Sequence, residues 1–299
     1  MSAASTARTR AQIAFLPDQR RLHLQDGPID LVVEAFGASS EIRSAYQAAA
    51  QRFVSVLDEL CDELPCLRQP ATLASSLPRG SIARRMMLAV QPYSEGNFIT
   101  PMAAVAGAVA EEILLSMTSA AKLARAYVNN GGDVALHLSP GECFTTGAVA
   151  TRQDKTASLF ATSTLDASSP VRGIATSGWR GRSFSLGIAD AVTVLAKTAS
   201  TADAAATILA NAVNLPGHPR IARVPARDLA PDSDLGDRLV TQQVGQLSRH
   251  DIEAALNAGC VVASNLVSRG RIHSAACRLA GETRVVAHNI LPHGELLHA

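Results

Sequence analysis

Short stretches of alternating apolar and polar residues, separated by glycine and proline, recur along this 299-residue chain. Such stretches are typical of strands that bury one face. The pattern predicts strands at Ile29–Phe36, taken as the first, Val134–Leu138, Ser158–Leu165, Gly173–Ser177 and Ala189–Ala196, and a hairpin of Arg271–Leu279 and Thr283–His288 around Gly281.

Helical spacing of apolar residues marks other stretches. One apolar face runs from Tyr46 to Leu64, and Pro65 is expected to end that helix. Further helices are predicted between residues 100 and 128, from near Thr201, and over Asp251–Ser268. Together these elements predict an α/β (α+β) fold in which helices cover a largely antiparallel sheet.

The composition is that of a globular chain with a sizeable core, because 47% of residues are hydrophobic and 18% are charged. We expect a flexible N-terminal arm over residues 1–28 and a single domain over 29–299. A net charge of +1 and 4% aromatic residues argue against a nucleic-acid partner. No run of 18 apolar residues is present, which argues against a membrane partner.

Cysteine usage suggests a reducing compartment. The five cysteines are scattered and free of C-x-x-C spacing, as expected of buried, unpaired thiols. They are Cys61, Cys66, Cys143, Cys260 and Cys277. Since the first residues also lack the apolar core of a signal peptide, we expect a cytoplasmic protein. The histidines of the tail, His288, His293 and His298, fit no metal motif.

The densest chemistry lies between Gly173 and Val213. A small-residue turn, Ala175–Gly178, is followed by two arginines and then by a helix that carries Asp203 and Thr207 four residues apart. That spacing places a carboxylate and a hydroxyl on one helical face, where they could share Mg²⁺. A first-turn acid favoured by the helix dipole, beside a threonine bonded back to a carbonyl, explains the same residues. Spacing alone leaves both interpretations open.

A second polar cluster, Asn129–Asp133, is expected to form a turn between a helix and a strand, with glycines that permit positive φ. Backbone amides in such a turn could meet an anion. Alternatively it is a tight turn with no further role, and Asp133 caps the strand edge.

Missing motifs argue against serine hydrolases, zinc proteases, kinase-like enzymes and Rossmann proteins. The chain has no G-x-S-x-G around Ser177, no H-E-x-x-H, no Walker loop, and no G-x-G-x-x-G after a strand. A nucleophile at Thr176 or Ser177 would lack a His–Asp pair arranged in sequence to activate it.

Three blocks resemble the recurring motifs of the ApbE superfamily of FAD-dependent flavin (FMN) transferases. They are G-I-A-T-S-G at 173–178, N-G-G-D-V-A at 130–135 and A-D-A-A-A-T at 202–207. A fourth, P-M-A-A-V-A-G-A-V-A at 101–110, is similar to the pattern of an uncharacterised ApbE-like (UPF) family. The resemblance covers roughly residues 99–213 and implies an ApbE-like, T-fold-like architecture.

The resemblance also implies a site. FAD or a related phosphate-bearing molecule would bind at Asn130, Gly131, Gly132, Asp133, Thr176, Ser177 and Gly178. Asp203 and Thr207 would hold Mg²⁺, with a helix N-terminus that suits a metal already bridged to phosphate. Ser177, Arg180 and Asp190 are the candidate catalytic residues. We expect the glycine turns at 131 and 178 to meet at one cleft.

The chain departs from the flavin transferases at two places. Ala106 stands where they usually carry a lysine before the glycine, and residues 183–190 replace a His-x-x-Asp-Pro-x-Thr-Gly run. Transfer of FMN to a protein threonine is therefore not carried over.

Three functions stay open. The first is a metal-assisted, nucleotide-binding enzyme with altered chemistry. The second is a non-catalytic flavin-binding or assembly protein. The third is an enzyme that acts on an unrelated small metabolite in the same cleft. A homodimer is expected, because sheet edges need a cover.

Overall fold

The computed structural model describes residues 10–151 and 157–287. Nine strands form one antiparallel sheet in the order β1-β2-β3-β4-β5-β8-β9-β12-β13, and two separate hairpins pair β6 with β7 and β10 with β11. The strands are β1 (Gln12–Phe15), β2 (Leu22–Asp26), β3 (Ile29–Phe36), β4 (Arg125–Asn130), β5 (Asp133–Leu138), β6 (Cys143–Thr151), β7 (Ala157–Asp166), β8 (Gly173–Ser177), β9 (Ala191–Ala196), β10 (Ile221–Pro225), β11 (Leu239–Val244), β12 (Ser274–Leu279) and β13 (Glu282–Ala287).

Helices lie mainly in the long connections between strands. They are α1 (Ser39–Phe53), α2 (Val56–Asp62), α3 (Leu64–Leu67), α4 (Ser81–Val90), α5 (Val105–Ala120), α6 (Ala199–Ala212), α7 (Ala226–Leu229) and α8 (Arg249–Ser268), with short 3₁₀ turns at Gln91–Tyr93 and Pro101–Ala104. The predicted class, a largely antiparallel sheet covered by helices, is confirmed.

One face of the sheet carries the main core. Alternate strand residues such as Leu31, Val128 and Val194 are fully buried there and pack in one cluster with residues of α1, α5, α6 and α8. The period of two along each strand places every second side chain on this face, which is why β3, β5, β8, β9 and the final hairpin were recognisable in sequence.

The other face of the sheet is covered by the β6–β7 hairpin. Leu165 and Phe144 of the hairpin pack against Leu136 and Ile174. Among the described residues, neither strand of this hairpin pairs with a strand of the main sheet, although Arg125 Nη1 of β4 donates to the Cys143 carbonyl of β6 at 2.8 Å. It lies over the sheet as a second layer and leaves room beneath it.

The helix predictions need three corrections. The helix expected to run from Tyr46 to Leu64 is interrupted after Phe53, and Pro65 lies at the start of the short α3 instead of ending a long helix. The helix expected from near Thr201 begins two residues earlier, at Ala199, because the Thr198 side chain accepts a hydrogen bond from the Thr201 amide and caps the helix.

Strands appear in places where the sequence did not predict them. β1 and β2 lie within the stretch assigned to a flexible arm, so β3 is not the first strand. β4 precedes the glycine turn, which therefore joins two strands and not a helix and a strand. β10 and β11 lie between α6 and α8, where no strand was predicted. The arm before residue 10 and the histidines of the tail lie outside the described residues.

The apolar helical stretch Pro101–Ala120 is long and apolar enough, by length and composition alone, to cross a membrane. Half of its most apolar window is buried in the fold, so in this structure it serves as a core helix. All five cysteines are free, but only Cys277 is buried, whereas Cys61 and Cys143 are exposed. The prediction of buried thiols is wrong for those two.

Candidate functional site

A single cavity of about 1420 Å³ collects the residues singled out in the sequence. It is lined by Asn130, Gly131, Gly132, Asp133, Thr176, Ser177, Gly178, Arg180, Asp190, Asp203 and Thr207. The two glycine turns, which are separated by more than forty residues in sequence, meet at this cavity because β5 and β8 are neighbours in the sheet. Residues from the three sequence motifs at 130–135, 173–178 and 202–207 therefore line the same cavity.

The β4–β5 turn needs glycine at both of its central positions. Gly131 and Gly132 have φ of 63° and 115°, in the left-handed region that side chains disfavour. The amide of Gly132 donates to Oδ1 of Asn129 at 2.8 Å, so this N–H closes the turn. The Gly132 amide is therefore not among those that the turn can offer to an anion.

Next to this turn, α5 and α6 satisfy each other's first amides. Asp203 of α6 accepts a hydrogen bond at Oδ2 from the Gly107 amide of α5, at 3.0 Å. Glu111 of α5 accepts a hydrogen bond at Oε1 from the Ser200 amide of α6, at 2.6 Å. We call this arrangement the reciprocal cap. It corrects the expectation that the α6 N-terminus receives phosphate, because Glu111 already occupies it.

Gly107 makes the reciprocal cap sterically feasible. A Cβ at this position would lie 2.3 Å from the carbonyl oxygen of Ala199 and 2.7 Å from the Ser200 nitrogen. The small residues at the start of α5 thus serve close helix packing here. Asn130 supports the same turn of α5, because its Nδ2 donates to the Ala106 carbonyl at 3.1 Å.

Two carboxylates, Asp133 and Asp203, dominate the electrostatics of this end of the cavity. Burial raises the pKa of Asp133 to about 7, against the lowering effect of a hydrogen bond from the Thr176 amide. Burial, and then the negative charge of Asp133, raise the pKa of Asp203 well above its ordinary value. Among the described residues, no Lys, Arg or His forms an ion pair with either carboxylate.

These carboxylates and Thr207 are a plausible donor set for a hard cation, since all are oxygen donors at one end of the cavity. A divalent cation would supply a counter-charge to both buried carboxylates and would offset the negative charge of Asp133 that raises the pKa of Asp203. The described residues contain no group of three or more His, Cys, Asp or Glu that could hold a metal by themselves. A cation here would therefore take further ligands from water or from a bound phosphate.

Asp133 also connects the two parts of the cavity. Its Oδ1 accepts from the Thr176 amide at 3.0 Å, which ties the β4–β5 turn to β8. The Thr176 hydroxyl in turn lies 2.8 Å from the Thr193 hydroxyl on β9. Asp133 is thus more than a strand-edge cap, because it bonds to the neighbouring strand.

Arg180 and Asp190 are paired with one another. Arg180 Nε donates to Asp190 Oδ1 at 2.7 Å, and Asp190 Oδ2 accepts from the Ala280 amide at 2.7 Å. The guanidinium also stacks on the Trp179 ring, 4.4 Å from its centroid. Gly178 is required beside them, since a Cβ there would lie 2.6 Å from the Asp190 carbonyl oxygen. Both charged residues therefore hold the loop after β8 in place.

Ser177 ends β8 opposite Val192 and lines the cavity. Within the described residues its hydroxyl has no histidine or carboxylate at hydrogen-bond distance, so the structure gives it no activating base. The candidate catalytic set of Ser177, Arg180 and Asp190 is brought to one cavity but not into one catalytic arrangement.

Three residues at the cavity carry charge that the site predictions did not include. Arg182 crosses from the loop after β8 to the β2–β3 turn, where Nη2 donates to the Pro28 carbonyl at 3.1 Å. Arg68 follows α3, and Asp234, which accepts a hydrogen bond from Thr100, lies between α7 and β11. No local motif marks Arg68 or Asp234, so only the fold shows that they reach the cavity.

Comparisons with known proteins agree with the motifs. The family described as AbpE bacteria matches residues 13–285. A UPF0280 protein of Methanopyrus kandleri is 34% identical over 48% of this chain and 56% of its own length, and one of Methanothermobacter thermautotrophicus is 37% identical over 50% and 57%. A UPF0280 protein of Archaeoglobus fulgidus is 32% identical over 58% of this chain and 69% of its own. The chain spans a little over half the length of the first two relatives.

Two solved structures are similar at low identity. The apo flavinyl transferase ApbE of Pseudomonas stutzeri is 12% identical with a TM-score of 0.43, covering 94% of each chain. The flavin transferase ApbE from Vibrio cholerae is 12% identical with a TM-score of 0.40, covering 93% of this chain and 97% of that one. On the strength of the family match over residues 13–285 and of the Archaeoglobus relative, the chain belongs to the family described as AbpE bacteria and to the UPF0280 proteins.

Proposed function

We propose that the protein is a metal-assisted enzyme that binds FAD or a related nucleotide through its phosphates, with chemistry altered from that of the flavin transferases. The observation that carries this proposal is the pair of carboxylates, Asp133 and Asp203, at one end of a large cavity with no described cationic partner. Buried carboxylates without a counter-charge are costly, and a divalent cation bridged to phosphate would supply that charge.

Each residue has a role in this proposal. Asp203 and Thr207 would hold Mg²⁺, which supplies electrostatic stabilisation of charge on phosphate oxygens. Arg182 lies at the other side of the glycine turn and has no carboxylate partner among the described residues, so its guanidinium would receive the remaining phosphate charge. The cavity lining also includes the apolar residues Leu57, Leu60 and Met102, against which the flavin ring could pack.

Asp203→Asn tests the proposal directly. Asn keeps an oxygen that can accept from the Gly107 amide but lacks the charge that Mg²⁺ requires. We expect FAD affinity in the presence of Mg²⁺, measured by isothermal titration calorimetry, to fall at least ~10-fold. Without metal the melting temperature should stay the same or rise, because the variant removes a repelled buried carboxylate.

Asp228→Asn is the matched control, since Asp228 is exposed on α7 and does not line the cavity. It should bind as the parent does. If Asp203→Asn and Thr207→Val both bind Mg²⁺ and FAD with parental affinity, the proposed site is wrong. Equal FAD affinity with and without EDTA in the parent would remove the metal from the proposal.

A second candidate is a flavin-binding or assembly protein without turnover. The mutual pairing of Arg180 and Asp190, and the lack of a described base beside Ser177, favour it. Chromatography of FAD incubated with excess protein and Mg²⁺ separates the two functions: new FMN or AMP indicates an enzyme, whereas intact FAD that remains bound indicates a binding protein.

A further inference from the structure

The β6–β7 hairpin touches the second face of the sheet at two separated places. Phe144 and Leu165 form one contact with the strands below. Ala161 forms the other, with Ala191 and Ala276. Between these two contacts the cavity continues as a gap with the hairpin above it and β8, β9 and β12 below it.

Hydroxyl groups line this gap, which we call the hydroxyl slot. Thr146 and Ser163 face each other across the hairpin, on the strand face that also carries Phe144 and Leu165. Thr176, Thr193 and Ser274 lie on the sheet below. All five line the cavity.

Two of these hydroxyl positions have unused hydrogen-bonding capacity. Ser274 is only 8% exposed, and no described residue gives its hydroxyl a hydrogen-bond partner. Its neighbour Ala275 faces the main core, so the alternation of the strand directs Ser274 to the slot. Thr176 and Thr193 share one hydrogen bond at 2.8 Å, which leaves one hydroxyl hydrogen of the pair for a third group.

The slot carries no charge among its described side chains. None of the charged residues that line the cavity is among the five residues of the slot; they are Asp133, Asp203, Asp190, Arg180, Arg182, Arg68 and Asp234. A charged ligand group would have to leave water and meet no partner in the slot, which is unfavourable. A neutral ligand with hydroxyls would meet the free capacity of Ser274 and of the threonine pair.

An extended peptide is a poor occupant. β8, β9 and β12 each pair with a neighbour on both sides, so a peptide lying on this face could not pair its backbone with them. The cavity volume of about 1420 Å³ also exceeds the ~300–1,000 Å³ of a typical single-ligand pocket, which leaves room for a second small molecule beside a nucleotide.

We propose that the hydroxyl slot binds a small neutral polyol or sugar as a second ligand. Thr176 lines the slot, and its backbone amide donates a hydrogen bond to Asp133. A ligand hydroxyl bound at Thr176 would therefore lie next to the carboxylate end of the cavity. The residues of the slot differ from those proposed to hold Mg²⁺, so the slot can be tested without nucleotide.

The test is saturation-transfer NMR on the full chain without nucleotide, with ribitol, myo-inositol and D-glucose as neutral probes and gluconate as the charged counterpart of glucose. We expect transfer to at least one neutral probe, and weaker transfer to gluconate. Ser274→Ala should weaken binding about two- to tenfold, the effect of one neutral hydrogen bond. Ser274→Leu should abolish binding by filling the slot.

Ser268→Ala, on the exposed end of α8, is the matched control and should bind like the parent. Asp203→Asn should also keep polyol binding, which separates failure of the slot from failure of the nucleotide site. If Ser274→Leu does not fold, Ser274→Ala and Thr193→Val decide. The inference is overturned if no neutral probe binds, if gluconate binds more tightly than glucose, or if the folded slot variants bind like the parent.

Discussion

Gly107→Ala should destabilise the protein by disrupting the contact between α5 and α6. The new Cβ would lie 2.3 Å from the Ala199 carbonyl oxygen and 2.5 Å from its carbon. Ordinary contacts of this kind are about 3.4–4 Å, so the two helices must separate by about 1 Å. The atoms met are backbone, which cannot rotate away as a side chain can.

The magnitude follows from three contributions. Overpacking against backbone costs about 1–3 kcal/mol. Weakening the bond from the Gly107 amide to the Asp203 carboxylate, now 3.0 Å, costs up to a further ~1.5–3 kcal/mol. Replacing a helical glycine with alanine returns about 1 kcal/mol of helix propensity. We therefore expect a net loss of about 1.5–5 kcal/mol in the free energy of unfolding.

Urea unfolding followed by circular dichroism measures this loss, and a thermal scan should show a melting temperature lower by about 4–10 °C. Gly259→Ala on α8 is the comparison, because its Cβ would meet the Cγ2 atom of Val213, a side-chain atom, at 2.4 Å. It should cost less. An unchanged midpoint for Gly107→Ala, or equal losses in both variants, would refute the argument from backbone contact.

Three further predictions concern the cavity and the assembly. Because the pKa values of Asp133 and Asp203 are raised in the folded protein, the native state binds their protons more tightly than the unfolded state, and the free energy of unfolding should fall as pH rises from about 4 towards 7. Added Mg²⁺ should therefore raise the melting temperature more at pH 8, where both carboxylates are more fully ionised, than at pH 6. An equal Mg²⁺ effect at both pH values would contradict this. FAD with Mg²⁺ should quench the fluorescence of Trp179, which lies between two cavity-lining residues, and an unchanged spectrum at saturation would count against this cavity. Light scattering at micromolar concentration should give twice the 31.2 kDa of the chain, and a monomer mass would reject the homodimer.

Local sequence pattern predicted those elements whose signals are local. α8 is the clearest case: a helix was predicted over Asp251–Ser268, and the structure has it over Arg249–Ser268, where the Ser248–Asp251 capping box sets its start two residues earlier. The strand over residues 29–36 and the final hairpin were recognisable from alternation. β1, β2, β4, β6, β10 and β11 were missed, because their pairing depends on partner strands that the local pattern does not show.

The candidate site, too, was predictable only where its signals are local. The glycine turns and the spacing of Asp203 and Thr207 are local, and they led to residues that line one cavity. Their partners are distant in sequence, so the sequence could not show that Glu111 occupies the α6 N-terminus. It also could not show that Asp190 holds both Arg180 and the β12–β13 turn.

The reciprocal cap bears on the order in which the protein folds. Gly107 and Asp203 are 96 residues apart, and Ser200 and Glu111 are 89 residues apart. The chain between them forms β4 to β9, so a loop of that length must close before either hydrogen bond can form. The reciprocal cap should therefore form late in folding. The Gly107 and Ser200 amides should exchange with solvent only when most of the sheet opens.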